Sequence, residues 1–158
     1  MRLGVISDTH LDSPNPTLQK IVRDHFHEVD MIVHLGDYVD YSVAGYLMDQ
    51  TEFVGVTGNM DPPRIRHTFP PKRVLELGGF RIGMIHGWGA PFGLERRIRS
   101  EFGDIDAILY GHTHQAANHH KQGILFFNPG SACRAFFGKP SVGILWVDDT
   151  IRGEIISV

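Results

Sequence analysis

The sequence predicts an α/β fold in which two β-sheets pack together with helices outside. Three features point there. The first half alternates apolar runs with helical stripes, strand–helix–strand–helix–strand, which demands right-handed crossovers and a parallel sheet. From about residue 116 onward the pattern turns to hairpins. The 158 residues, 42% hydrophobic and 21% charged, suit one folded domain over 1–158 with a sizeable core.

Each element has its own signal. Residues 3–6 (Leu-Gly-Val-Ile) form a buried strand that stops at Ser7-Asp8. Pro14 and Pro16 open a turn, and Leu18, Ile21, Val22 and Phe26 make a helical stripe over 17–28, with Thr17 near its start. Residues 31–35 predict a second strand ending at Gly36-Asp37, 42–49 a short helix, and 52–57 a third strand ending at Gly58-Asn59. The segment 60–72, rich in Pro and Arg, reads as an ordered loop. Residues 73–77 and 80–85 face each other across Gly78-Gly79, a strong hairpin signal, and the second arm ends at His86-Gly87. A basic amphipathic helix fits 92–102, and 105–110 make a strand ending at Gly111-His112-Thr113-His114. Two hairpins follow: 116–121 with 124–127 around Gln122-Gly123, and 142–147 with 151–156 around Asp148-Asp149-Thr150.

Composition removes several function classes. Fifteen Lys and Arg against eighteen Asp and Glu leave a net charge of -3, the wrong balance for a nucleic-acid partner or a basic membrane-surface protein. No apolar run approaches the ~18 residues of a membrane helix, and the opening apolar stretch is too short for a signal peptide. Cys133 is the only cysteine, so no internal disulfide forms, and a cytoplasmic location is expected. Ten histidines, several bunched near Asp, Asn and Gly, ask for an explanation.

One regularity supplies it. Five predicted strands end at side chains able to bind metal: Asp8 with His10, Asp37, Asn59, His86, and His112 with His114. In α/β sheets the carboxyl ends of parallel strands share one edge, where ligand crevices form. Side chains at i and i+2 on extended chain point the same way, so Asp8/His10 and His112/His114 can each converge. Imidazole and carboxylate without thiolate suit Mn, Fe, Zn or Ni. Seven such groups exceed one tetrahedral ion and suit two divalent ions sharing a bridging carboxylate. Two ions, two carboxylates and a bridging hydroxide sum to about +1, a charge that attracts phosphate. Metals ~3.5–4 Å apart can activate the hydroxide and clamp an in-line displacement at phosphorus.

In order and spacing, Asp8-x-His10, Gly36-Asp37, Gly58-Asn59, His86 and Gly111-His112-x-His114 resemble the signature of the calcineurin-like metallophosphoesterases. Asn128-Pro129-Gly130-Ser131 resembles a segment of their small bacterial and archaeal branch, whose members are mostly phosphodiesterases. The resemblance implies a four-layer αββα sandwich of two mixed β-sheets. It implies that one metal takes Asp8, His10, Asp37 and His114, and the other Asp37, Asn59, His86 and His112. Manganese is the expected metal, with Fe, Ni or Zn as alternatives. Asn59 and His112 are expected also to serve catalysis at the substrate phosphate. The expected activity is a dinuclear phosphodiesterase acting on a small phosphate ester through the bridging hydroxide. The alternatives are a metal-binding scaffold, like one eukaryotic trafficking subunit that resembles this fold, or a phosphomonoesterase or nucleotide hydrolase of the same fold.

Two positions depart from the pattern. Phosphatase and nuclease branches carry after the Asn a His that can protonate the leaving group; Met60 stands here. Where the phosphatase pattern has Asp followed by Arg, Asp40 is followed by Tyr41. General acid catalysis is commonly worth ~10²–10⁴ in rate, so modest turnover and a preference for diesters with good leaving groups are expected.

The other residues receive plainer readings. His25 and His27 fall on a solvated helix face, His34 in the core, His67 in the Pro/Arg loop, and His119 and His120 on the surface. Cys133 reads as a small buried hydrophobe, and Arg96, Arg97 and Arg99 as a solvated helix face. The doublets Phe126-Phe127 and Phe136-Phe137 cannot each turn both rings to one side of a strand. One Phe of each is thereby left for a subunit interface, and a homo-oligomer, dimer or tetramer, is expected. Asp61, Arg64 and Arg66 lie close enough in sequence to reach the site, without an assigned role.

Overall fold

The computed structural model describes residues 1–133 and 139–158, and all ten predicted strands are present there. In chain order they are β1 (Arg2–Ile6), β2 (Met31–His34), β3 (Glu52–Gly55), β4 (Lys72–Leu77), β5 (Phe80–Ile85), β6 (Ala107–Tyr110), β7 (Ala117–Lys121), β8 (Ile124–Asn128), β9 (Ser141–Val147) and β10 (Ile151–Ser157). They form two five-stranded mixed sheets, ordered β10-β9-β1-β2-β3 and β4-β5-β6-β8-β7. Three adjacent strands of each sheet run parallel, β1-β2-β3 and β5-β6-β8, while the other neighbours pair antiparallel.

Side-chain alternation explains the layering. Leu3, Val5, Met31 and Val33 point from the first sheet into a core shared with Ile82, Met84, Leu109, Leu125 and Phe127 of the second. The intervening Ile6, Ile32 and Ile144 point the other way, onto Leu18 and Ile21 of α1 (Pro16–Ile21) and Val43 and Leu47 of α2 (Tyr41–Met48). On the far side, Ile108, Tyr110, Ile124 and Phe126 meet Leu94 and Ile98 of a helix over Leu94–Arg99. Strands apolar on both faces are what a doubly covered sheet requires, and the result is the αββα sandwich. Truncating a fully buried residue such as Leu109 to Ala would cost about 2–5 kcal/mol.

The helices refine the expectation. The first starts at Pro16 because the Asn15 side chain accepts the Leu18 N–H at 2.9 Å, and it continues as a π-helical turn over Val22–Phe26. Residues 60–72 do not form only a loop. They contain α3 (Pro63–Thr68), with Pro63 at the position where a missing N–H costs nothing. The basic helix predicted for 92–102 is regular only over α4, the Leu94–Arg99 segment already described. Phe126 and Phe127 are 2% and 0% exposed on opposite faces of β8, so this doublet leaves no ring for a subunit interface. The second doublet, Phe136-Phe137, lies outside the described residues. None of the described helices is long and apolar enough to cross a membrane.

Parallel register aligns the functional ends. Val5, Val33 and Val54 lie side by side, as do Ile6, His34 and Gly55, so the segments bearing Asp8, Asp37 and Asn59 leave one edge together. Ile85 pairs with Tyr110 in the second sheet, which delivers His86 and His112 to the same region.

Candidate metal centre

Beyond their strands, β1 and β2 go on pairing. Leu35 N–H donates to Ile6 O at 2.9 Å, Asp8 N–H to Gly36 O at 3.1 Å, His10 N–H to Asp37 O at 3.1 Å and Leu11 N–H to Tyr38 O at 3.2 Å. The chain is nevertheless not extended at the ligand positions. Asp8, His10, Asp37, His112 and His114 have φ of 51°, 48°, 59°, 70° and 58°. Asp8 and His10 do converge, with His114 beside them, but through left-handed turns rather than the extended spacing that the sequence suggests; His112 turns instead toward Asn59 and Gly89. Such conformations cost about 1–3 kcal/mol each and persist where surrounding structure imposes them. Two glycines make room for the crowding. A Cβ at Gly111 would overlap Ser7 Oγ and Asp8 Oδ2, and one at Gly58 would overlap Asp37.

Asp8 lies at the middle. Its Oδ2 accepts from Ser7 Oγ at 2.6 Å and from His112 N–H at 3.1 Å. Its buried Oδ1 forms no hydrogen bond, yet faces His114 Nε2 at 3.2 Å, His10 Nε2 at 3.8 Å and His86 Nε2 at 3.9 Å. His86 donates from Nδ1 to the Leu35 carbonyl at 2.7 Å, which leaves its lone pair on Nε2, and that buried nitrogen also forms no hydrogen bond. Asp37 divides its oxygens. Oδ1 accepts the Met60 N–H at 2.8 Å, while Oδ2 stands 3.4 Å from His86 Nε2 and 3.7 Å from His10 Nε2.

Two groups therefore have ligand atoms within 4.8 Å of one another, Asp8/His10/His114 and Asp8/Asp37/His86. Separations of ~3–4 Å are what two ligands each ~2.1 Å from one ion show. A buried donor or acceptor left unsatisfied costs ~1–3 kcal/mol, so orphaned Asp8 Oδ1 and His86 Nε2 fit a cation. Asn59 and His112 lie at the rim instead. The His112 Nε2–H donates to Gly89 O at 2.7 Å, leaving its lone pair on Nδ1, which faces Asn59 Oδ1 at 3.1 Å.

Electrostatics agrees with this donor set. Burial alone would neutralise Asp8, but His10, His114, His86 and Ser7 outweigh it and hold the carboxyl far below its ordinary range. Burial likewise opposes ionisation of Asp37, and His86 with the Met60 N–H overcomes it. Burial disfavours a charged His86, yet Asp37 and Asp8 raise its pKa above the usual value. A pocket that draws a proton onto an imidazole in this way also draws a metal cation in its place.

The sequence profile of the calcineurin-like phosphoesterase superfamily domain matches residues 1–150. The chain belongs to that superfamily. A probable metallophosphoesterase of Methanocaldococcus jannaschii is 36% identical over 161 residues, spanning 100% of this chain and 82% of that one. The structure of an archaeal phosphodiesterase is similar at a TM-score of 0.79 and 26% identity, covering 99% of this chain and 100% of its own. Vacuolar protein sorting-associated protein 29 of Schizosaccharomyces pombe is 30% identical over 159 residues, spanning 96% of this chain and 80% of that one.

Three supports of this calcineurin-like phosphoesterase have roles that a reading of motifs does not give. The buried Asp61 carboxylate accepts the N–H groups of Asp37 (3.0 Å), Tyr38 (2.7 Å), Val39 (3.0 Å) and Gly58 (2.8 Å), tying together the segments that bear Asp37 and Asn59. Its only sequence signal is a carboxylate two residues after Asn59. Asn128 Nδ2 donates to Gly111 O at 2.9 Å and Ser131 Oγ to Asp8 O at 2.8 Å, so the Asn-Pro-Gly-Ser turn braces two ligand segments. Arg97 is not a freely solvated side chain: its guanidinium grips the carbonyls of Trp88, Ala90 and Phe92.

The remaining residues stand as follows. Met60 contributes its backbone while its side chain is 59% exposed, and Arg64 stacks 4.0 Å over the Tyr41 ring. His34 accepts from Gly36 N–H at 3.1 Å and donates to Thr9 Oγ1 at 3.2 Å, a satisfied core histidine. His119 pairs with Glu95 at 3.1 Å, and His67 is exposed on α3. Burial pushes the Cys133 thiol up to about 11, which makes it a poor nucleophile.

Proposed function

We propose that this chain is a metal-dependent phosphodiesterase that holds two divalent cations, manganese first among the candidates. The supporting observation is the pair of buried donor atoms without hydrogen bonds, Asp8 Oδ1 and His86 Nε2, 3.9 Å apart with Asp37 Oδ2 beside them. Asp8, His10, Asp37 and His114 would hold one cation, and Asp37, Asn59, His86 and His112 the other. When bound, the cations supply the positive charge and Lewis acidity that displacement at phosphorus needs.

The chain's own residues do the rest. Asp8 and Asp37 stay ionised, as ligands must. The Leu35 carbonyl keeps the His86 lone pair aimed inward. Asn59 and His112, at the rim, would meet a phosphate oxygen. Met60 has no proton to give a departing alkoxide, so turnover depends on the leaving group, and an aryl diester is the favoured substrate type. The archaeal phosphodiesterase of matching fold supports the choice of a diester.

Metal analysis of the purified protein, coupled to hydrolysis of an aryl phosphodiester and its monoester with Mn²⁺, tests the reading. Two equivalents of metal and at least ~10-fold diester preference are expected. Metal uptake without turnover would instead favour a metal-binding scaffold, the second reading, which the vacuolar sorting relative motivates.

A further inference from the structure

We propose that a cavity of about 370 Å³ beside the metal centre is a subsite for a planar aromatic ring on the substrate, with Trp88 as its stacking wall. The inference rests on the phosphodiesterase reading above and names the substrate class of that site. Two cavities flank the segment 88–93 between β5 and α4. The larger, about 420 Å³, is lined by Phe92, Tyr110 and Lys121 among others and includes none of the seven candidate ligands. The smaller includes two of them, Asn59 and His86, so a group that enters it lies against the reacting centre. Its volume falls in the ~300–1,000 Å³ range of small-molecule sites.

Trp88 gives this cavity its character. The residue is 43% exposed, and the backbone beneath it is held from two sides. Arg97 donates to the carbonyls of Trp88 and Phe92, both at 3.0 Å, and to that of Ala90, while His112 donates to Gly89 O at 2.7 Å. Four carbonyls of this segment are thus pinned, one of them by a side chain of the metal centre itself. A wall fixed before the ligand arrives lowers the ordering entropy that binding must overcome.

The same lining carries cations. Arg66 is fixed by the carbonyls of Asp61 at 2.7 Å and Asn59 at 2.9 Å, and Lys72 is paired with Glu101 at 2.8 Å. An indole wall combined with cationic groups suits an anionic phosphate ester that bears a flat ring. A purely alkyl ester would leave the indole face without a stacking partner. A simple aryl group and a nucleobase share this chemistry.

The test is calorimetric binding of phenyl phosphate, thymidine 5′-monophosphate and methyl phosphate to the Mn²⁺-loaded protein. Wild type should bind at least one ring-bearing ester roughly tenfold tighter than methyl phosphate. Trp88→Ala should erase that preference and Trp88→Phe should keep most of it. In a Trp146→Phe background, the ring-bearing ester should quench the remaining tryptophan fluorescence and methyl phosphate should not. Tighter binding of the nucleotide than of phenyl phosphate would identify a nucleoside ester, and the reverse a simple aryl ester. Equal affinities in wild type, a preference that survives Trp88→Ala, or no binding of any of the three overturns the subsite. Aryl diester turnover is measured in parallel. Ring preference without turnover overturns the activity reading alone, and turnover without ring preference overturns the subsite alone.

Discussion

Asp8, Asp37 and His86 are each 3% exposed or less, whereas Asn59 is exposed and His112 half-buried. The inner three are oriented by backbone groups: the His112 N–H, the Met60 N–H and the Leu35 carbonyl. They still leave two donor atoms unsatisfied among them. The outer two lie at the rim: His112 Nε2–H donates to Gly89 O at 2.7 Å, and its Nδ1 lone pair faces Asn59 Oδ1 at 3.1 Å. The contrast teaches where binding energy is stored. A cation held by the inner half satisfies buried atoms that make no hydrogen bond, while the outer pair sits where water reaches it.

Asp8→Asn breaks the inner half and should have the largest effect. It should cut aryl diester hydrolysis by roughly 10³-fold or more and reduce bound metal in elemental analysis. His112→Ala, made in parallel, should cost only roughly 10–100-fold and leave the cation of Asp8, His10, Asp37 and His114 in place. Equal losses of metal in the two variants would erase the distinction between the halves.

Asp61→Asn sharpens the comparison from below, since it removes the charge that four backbone N–H groups share. A cost of about 1–3 kcal/mol in urea unfolding is expected, together with a roughly tenfold weaker metal affinity by calorimetry. Loss of stability without loss of affinity would make Asp61 a purely structural brace.

His34, beneath the inner half, should give the smallest effect, seen only in acid. Burial above all, with a contribution from nearby His86 and His10, pushes its pKa down to about 3 from an ordinary 6.5. The folded pKa is the lower one, so below pH 6.5 the unfolded chain takes up a proton that the folded protein refuses. The stabilisation is complete above pH 6.5 and is lost as pH falls toward 3, by about 1.4 kcal/mol per pH unit. Urea midpoints between pH 7.5 and 5 should fall less steeply in His34→Asn than in wild type. Parallel slopes would place the proton uptake on another group.

How much of this is legible in the sequence follows from where the signals lie. Asp8, Asp37, His86 and His112 stand out because an apolar run stops at each, and strand ends share an edge. Asp61 and Arg97 carry no such mark, since their partners are backbone N–H and carbonyl groups that every residue has. The α3 helix hides behind Pro62-Pro63, where proline signals a loop although it also begins helices. The left-handed turns at His10 and His114 are invisible because imidazole is not a turn residue by composition; the packing around them imposes the conformation.

The pairing of β1 with β2 that persists through His10 and Leu11 has a consequence for how the protein fails on heating. The hydrogen bonds of these amides continue the pairing of the central parallel strands past the end of their ladder, which ties the first ligand segment to that pair. Hydrogen–deuterium exchange at His10 and Leu11 should therefore require the whole sheet to open. Competence and foldedness would then disappear in one transition, with no inert but compact species between them.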